Sequence, residues 1–172
     1  MWYWPVFFGL VVLCGLVVAI ELWLVARSEP GVRPWAVVAA GSAAAVPLAI
    51  VAHNVLSALI QGEEAISFIL ALFVAPAGLM VGAIGGGLAL LRHDRDLSAW
   101  ILLYAAGMGL FAAYGLFALI VTAIVGGNPS YQGAIEIVVL PIAALAMSLG
   151  VIGEARALMS RRAGRLTSAG RA

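Results

Sequence analysis

The sequence predicts an all-α fold, a polytopic membrane bundle of five transmembrane helices, and three observations predict it. Five apolar runs of about 25 residues fill the chain, all nine basic residues are Arg confined to alternate gaps and the tail, and no gap is long enough for a soluble domain. At about 1.5 Å per helical residue, such a run reaches about 37 Å, enough to cross a hydrocarbon core of about 30 Å with some tilt. Hydrophobic residues make up 65% of the chain and charged residues 10%, and mean hydropathy is +1.13. That composition lies outside the range of soluble domains. Unbroken apolar runs also exclude the alternating pattern of a membrane β-barrel, and in lipid only helices or a closed barrel satisfy the backbone.

The first run covers residues 2–26. Trp2, Tyr3 and Trp4 mark its outer end, and Trp23 lies near the inner one. Without a basic leader or a small-x-small cleavage site it is expected to stay as a membrane helix rather than leave as a signal peptide. Cys14 is the sole cysteine, expected as a small apolar filler. The second run, residues 35–60, begins at Trp35 and contains Pro47, which removes a backbone donor and frees the carbonyl of Ala43. The third, residues 65–91, contains Pro76, freeing Leu72. Its Gly78, Gly82 and Gly86, broadened by Gly85 and Gly87, form a strip where another backbone can approach closely. Leu90, near its end, is expected to matter less than Gly82.

The fourth run, residues 100–125, opens at Trp100 and repeats the small-residue spacing at Ala105, Gly109 and Ala113. The fifth, residues 134–158, does so at Ala146, Gly150 and Gly153, with Pro141 freeing Ile137. These strips are read as packing within one subunit in preference to a homodimer face. Residues 1–160 thus form one transmembrane domain. Residues 161–172 read as a short, disordered Arg-rich cytoplasmic tail, rich in Gly and Ser without apolar periodicity.

Arg27 and Arg33 follow the first helix, Arg92 and Arg95 the third, and Arg156, Arg161, Arg162, Arg165 and Arg171 the end of the fifth. The N-terminus and the other two gaps have none. This alternation predicts the N-terminus outside and the C-terminus inside. Exclusive use of Arg, with abundant Ala, Val and Gly, points to a GC-rich bacterium and so to the inner membrane. Net charge is +1, and no basic face suggests nucleic acid as a partner.

The chemistry-bearing residues gather at the predicted outer side. His53, Ser57 and Gln61 are four apart on one helical stripe, with Asn54 beside it, and Glu63 and Glu64 follow at the turn. Counted back from residue 60, His53 lies about 10 Å inside the hydrocarbon. Glu136, a turn into the fifth helix from the same side, could join the cluster. One reading is a metal site, since imidazole with carboxylates from His53, Glu63, Glu64 and Glu136 suits a transition metal. A second is a proton or cation relay. A third is interhelical hydrogen-bonding beside a solvated, charged turn. At the inner side, Glu21 and Glu154 are read as interfacial ion-pair members, Glu154 loosely with Arg156 and Glu21 with Arg92 or Arg156, in preference to an inner gate.

No nucleophile triad, His-Glu-x-x-His motif or Cys pair is present. Phe68 stands where a Glu-Glu-x-x-x-Arg intramembrane protease pattern would need Arg. The sequence therefore favours a non-catalytic accessory or interaction subunit without a cofactor, in contact with the lipid bilayer and with other membrane subunits or a second copy. The alternative is a small transporter or a proton- or metal-responsive membrane protein using the outer His and Glu residues.

Overall fold

The computed structural model describes residues 3–59, 75–125 and 130–169. Helix α1 spans Tyr3–Ala26, a 3-10 turn Pro30–Val32 leads into α2 at Arg33–Leu59, and α3 spans Ala75–Leu90, α4 Arg95–Val125 and α5 Ser130–Ala169. The described residues contain no strand. The all-helical class follows the apolar runs, and the start expected for the third run at residue 65 lies outside the described residues. One boundary differs markedly: α5 continues past Arg161 through Ala169, taking in residues read from sequence as an irregular tail. Ala163 and Leu166 are strong helix formers, and a helix already formed adds residues without a new nucleation cost.

Local chemistry sets the turns. Pro30 opens the 3-10 turn and Pro34 sits in the first turn of α2, where a missing N–H removes no helical bond. Asp94 caps α4: its Oδ1 accepts from the Leu97 backbone N–H at 3.0 Å, and its carbonyl accepts from Ser98 N–H. The fully buried Ser98 hydroxyl donates to the Gly87 carbonyl at 2.7 Å, tying the end of α3 to the start of α4. Arg161 forms an ion pair with Asp94, bringing α5 to the same turn.

Consecutive helices pack in sequence, and α5 closes the ring on α1, with α3 also touching α1. Glycine contacts fix the directions. Along α3, Gly78 faces Ser42, Gly82 faces Ala39 and Gly85 faces Trp35, so α2 runs antiparallel to it. Gly87 meets Leu102 and Gly109 meets Met80, making α4 antiparallel to α3. Gly107 meets Met147, Gly150 meets Tyr104 and Gly153 meets Trp100, making α5 antiparallel to α4. Gly15 meets Leu79 and Gly86 meets Leu22, so α1 and α3 run the same way. The glycine faces are therefore spent on contacts inside the chain. A Cβ on Gly82 would lie 2.9 Å from the Ala39 backbone nitrogen, a distance at which α2 and α3 must separate.

The tryptophans near the Arg-bearing end also serve this packing. A Cβ at Gly85 would fall 2.0 Å from the Trp35 ring, and one at Gly153 equally close to Trp100, so each indole lies over a glycine notch. Leu90, expected to matter less than Gly82, is among the largest fully buried side chains. Its neighbours in the core include Leu97 and Val32, at the same end of the bundle.

The outward faces are apolar: Leu13 and Ile20 of α1, Leu48 and Val51 of α2, and Ile137, Leu145 and Ile152 of α5 are all exposed. Such continuous apolar surface is foreign to a water-soluble monomer. Three stretches, Gly9–Ala26, Arg95–Ala118 and Ile135–Arg161, are long and apolar enough to cross a membrane, and Ala75–Leu90 is a shorter apolar helix.

Candidate functional site: a buried carboxyl pair

Four charged or polar residues are buried among the described ones: Glu21, Ser98, Glu136 and Glu154. Ser98 is accounted for by Gly87. The three glutamates form two sites, about 27 Å apart along α5 by helical rise from Glu136 to Glu154.

At the Arg-bearing end, Glu21 of α1 and Glu154 of α5 come within hydrogen-bonding reach of each other. The helices bring them together because α5 packs beside α1. Glu154 is 0% exposed and Glu21 8%. Among the described residues neither has an Arg at ion-pair distance, and the one ion pair there is Arg161 with Asp94. The ion pairs expected from sequence are thus replaced by a pairing of like groups. Arg156 is exposed and only two residues from Glu154, so the helix turns it away.

The pair lies in a partly polar pocket of the core. Tyr104 of α4 is fully buried, its hydroxyl reaching toward Gly15 of α1, and Cys14 and Glu154 lie within electrostatic range of it. Glu21 Oε2, both carboxyl oxygens of Glu154 and the Tyr104 hydroxyl are buried with no hydrogen-bond partner among the described residues. Ionised carboxylates only accept hydrogen bonds, so the contact between Glu21 and Glu154 becomes a bond when one of them carries a proton. Left unsatisfied, each buried polar group costs about 1–3 kcal/mol, more if charged.

Access is lateral. A crevice of about 380 Å³ runs between α1 and α5, walled by Val17, Ile20, Leu24, Ala155, Leu158 and Met159, with Glu21 its acidic residue. Glu21 faces the crevice and Glu154 lies behind it in the core.

Toward the opposite end, Glu136 is 8% exposed, and its Oε2 accepts from the Tyr114 hydroxyl of α4 at 3.3 Å. This is the one member of the outer polar cluster with a described side chain. His53, Asn54 and Ser57 lie in α2, but their side chains fall outside the described set, and Gln61, Glu63 and Glu64 lie outside the described residues. The convergence expected of these residues, and of the metal candidates His53, Glu63 and Glu64, falls there too. Among the described residues no three His, Cys, Asp or Glu side chains gather as metal ligands.

Sequence reasoning singled out Glu21 and Glu154 but gave them the wrong partners. It did not single out Tyr104, Tyr114 or Gly107. The signal available for Tyr104 was its spacing from Trp100 and Met108, which places all three on one face of α4. Compared with known proteins, the chain matches no family model, no curated protein and no solved structure.

Proposed function

We propose that this chain is a small proton-responsive transport protein of the bacterial inner membrane, with Glu21 and Glu154 as its proton-binding element. In this reading all five helices cross the bilayer, with the N-terminus outside and the C-terminus in the cytoplasm. The alternating helix directions and the gathering of Arg27, Arg33, Arg92, Arg95 and Arg161 toward one end support that orientation.

The observation that carries the reading is the close approach of two buried carboxyl groups, with no cation at ion-pair distance among the described residues. Two carboxylates at that range in an apolar bundle repel strongly, and one shared proton relieves the repulsion while supplying the missing donor. Glu21 also lines the crevice between α1 and α5, and intramembrane ionisable groups of this kind mark ion pathways in membrane proteins. An accessory or interaction role would draw on the outward apolar faces, which lipid covers equally well, so the carboxyl pair favours the transport reading.

Infrared difference spectroscopy of the protein in liposomes tests the proposal. A protonated-carboxyl band should be present at neutral pH, respond to alkaline titration, and be lost in Glu154→Gln. If the spectrum is the same in wild type, Glu21→Gln and Glu154→Gln, the pair binds no proton and the proposal is wrong.

A further inference from the structure

A second cleft lies at the Arg-bearing end, between α1 and α2, about 400 Å³ in volume and lined by Trp23, Ala26, Arg27, Arg33 and Val37. Its construction is regular. Trp23 lies in the last turn of α1 with Arg27 four residues on, just past the helix end, and Arg33 and Val37 are one turn apart on α2, so each side of the cleft offers a cation at the mouth and an apolar side chain deeper in. Arg33 is held in place, its Nε donating to the Ala26 carbonyl at 3.1 Å, which leaves its terminal nitrogens available. Neither Arg27 nor Arg33 has a carboxylate at ion-pair distance among the described residues, although Glu29 belongs to the same connection.

Two unpaired guanidinium groups above apolar walls complement one kind of molecule present at this depth. A phospholipid places its phosphate at the level where helices leave the hydrocarbon and its glycerol and acyl chains just below. Guanidinium groups suit phosphate through paired N–H donors, and the indole of Trp23 suits the interfacial layer beneath. We infer that the cleft formed by Trp23, Arg27, Arg33 and Val37 binds an anionic phospholipid of the surrounding leaflet, its phosphate between the two arginines and its glycerol end against Trp23 and Val37. This site is separate from the carboxyl pair and does not depend on its protonation.

Native mass spectrometry of the protein released from mixed-lipid nanodiscs tests it. Wild type should retain phosphatidylglycerol over phosphatidylcholine by about thirtyfold, in line with two basic groups near an anionic surface at about 1 kcal/mol each. Arg27→Gln/Arg33→Gln should lose that preference, and Arg92→Gln/Arg95→Gln, which removes the same charge from the neighbouring turn, should keep it. Equal loss in both double variants would reduce the effect to general surface charge and overturn the site. Excess inorganic phosphate should not displace the lipid; displacement would show a free-phosphate site instead. Val37→Trp fills the cleft at an exposed position and leaves both arginines in place. It should also abolish the preference, so the inference stays testable if the arginine variant does not fold, and retention in Val37→Trp would refute it.

Discussion

Gly150→Ala should be the most damaging single methyl that can be added to this protein near its carboxyl pair. A Cβ there would lie 2.7 Å from the Tyr104 backbone nitrogen, 2.8 Å from its Cβ and 2.9 Å from its Cα, where ordinary contact is 3.4–4 Å. The obstacle is backbone on both sides, so no rotamer change relieves it. Helices α4 and α5 must part by about 1 Å, and a gap of that size forfeits about a quarter to a half of the contact energy of every atom pair along the seam. Overpacking of this kind costs about 1–3 kcal/mol, and a backbone-to-backbone clash belongs at the upper end. By the scaling known for chains of this size, that lowers the melting temperature by roughly 5–10 °C. Thermal unfolding of the detergent-solubilised protein, followed by intrinsic fluorescence, measures it. Gly41→Ala is the matched comparison: nothing lies within 4 Å of a Cβ at Gly41, and replacing a mid-helix glycine should gain about 0.5–1 kcal/mol. If Gly150→Ala melts with wild type, α4 and α5 do not pack at this register, and the placement of Tyr104 beside Glu154 falls with it.

Asp94→Ala should cost about 1 kcal/mol or more and Arg161→Ala less than half of that, because Asp94 caps α4 as well as pairing with Arg161; equal losses by thermal unfolding would remove the cap from the argument. The double variant Glu21→Leu/Glu154→Leu should gain about 1–4 kcal/mol by replacing a buried ionisable pair with apolar groups, while its protonated-carboxyl band disappears; a large loss of stability would mean the pair is structurally required. A reporter active only in the cytoplasm should be active when fused after Arg171 and silent at Asn128, and the reverse result would end the proposed orientation.

The all-helical class, with five helices among the described residues, was legible in the sequence because run length depends on neither rotation nor neighbours. Helix rotation was not legible. In α1, Leu13, Cys14, Leu16 and Val18 are all apolar, yet Leu13 and Leu16 face outward while Cys14 and Val18 are buried. In lipid both faces accept the same side chains, so no polar stripe records which is inside. Glycines record it better: Gly78, Gly82, Gly86, Gly109 and Gly150 all meet another helix. The partner of Glu154 was hidden for a different reason. Which helix lies beside α5 is a property of ring closure, and 133 positions separate Glu154 from Glu21, as their residue numbers show. Charge complementarity favoured a nearby Arg, but Arg156 projects from the wrong side of the helix.

The pairing of the first helix with the last has a consequence for biosynthesis. Translation proceeds at about 5–20 residues per second, so Glu21 leaves the ribosome on the order of ten seconds before Glu154. Throughout that interval the nascent chain has an acidic group in its leading membrane helix and no α5 to shelter it. Completion of the pair coincides with emergence of the final helix, so a chain truncated before α5 displays an unpaired glutamate toward lipid. Such a fragment is chemically distinct from the chain that includes α5, because its buried-carboxyl partner is missing.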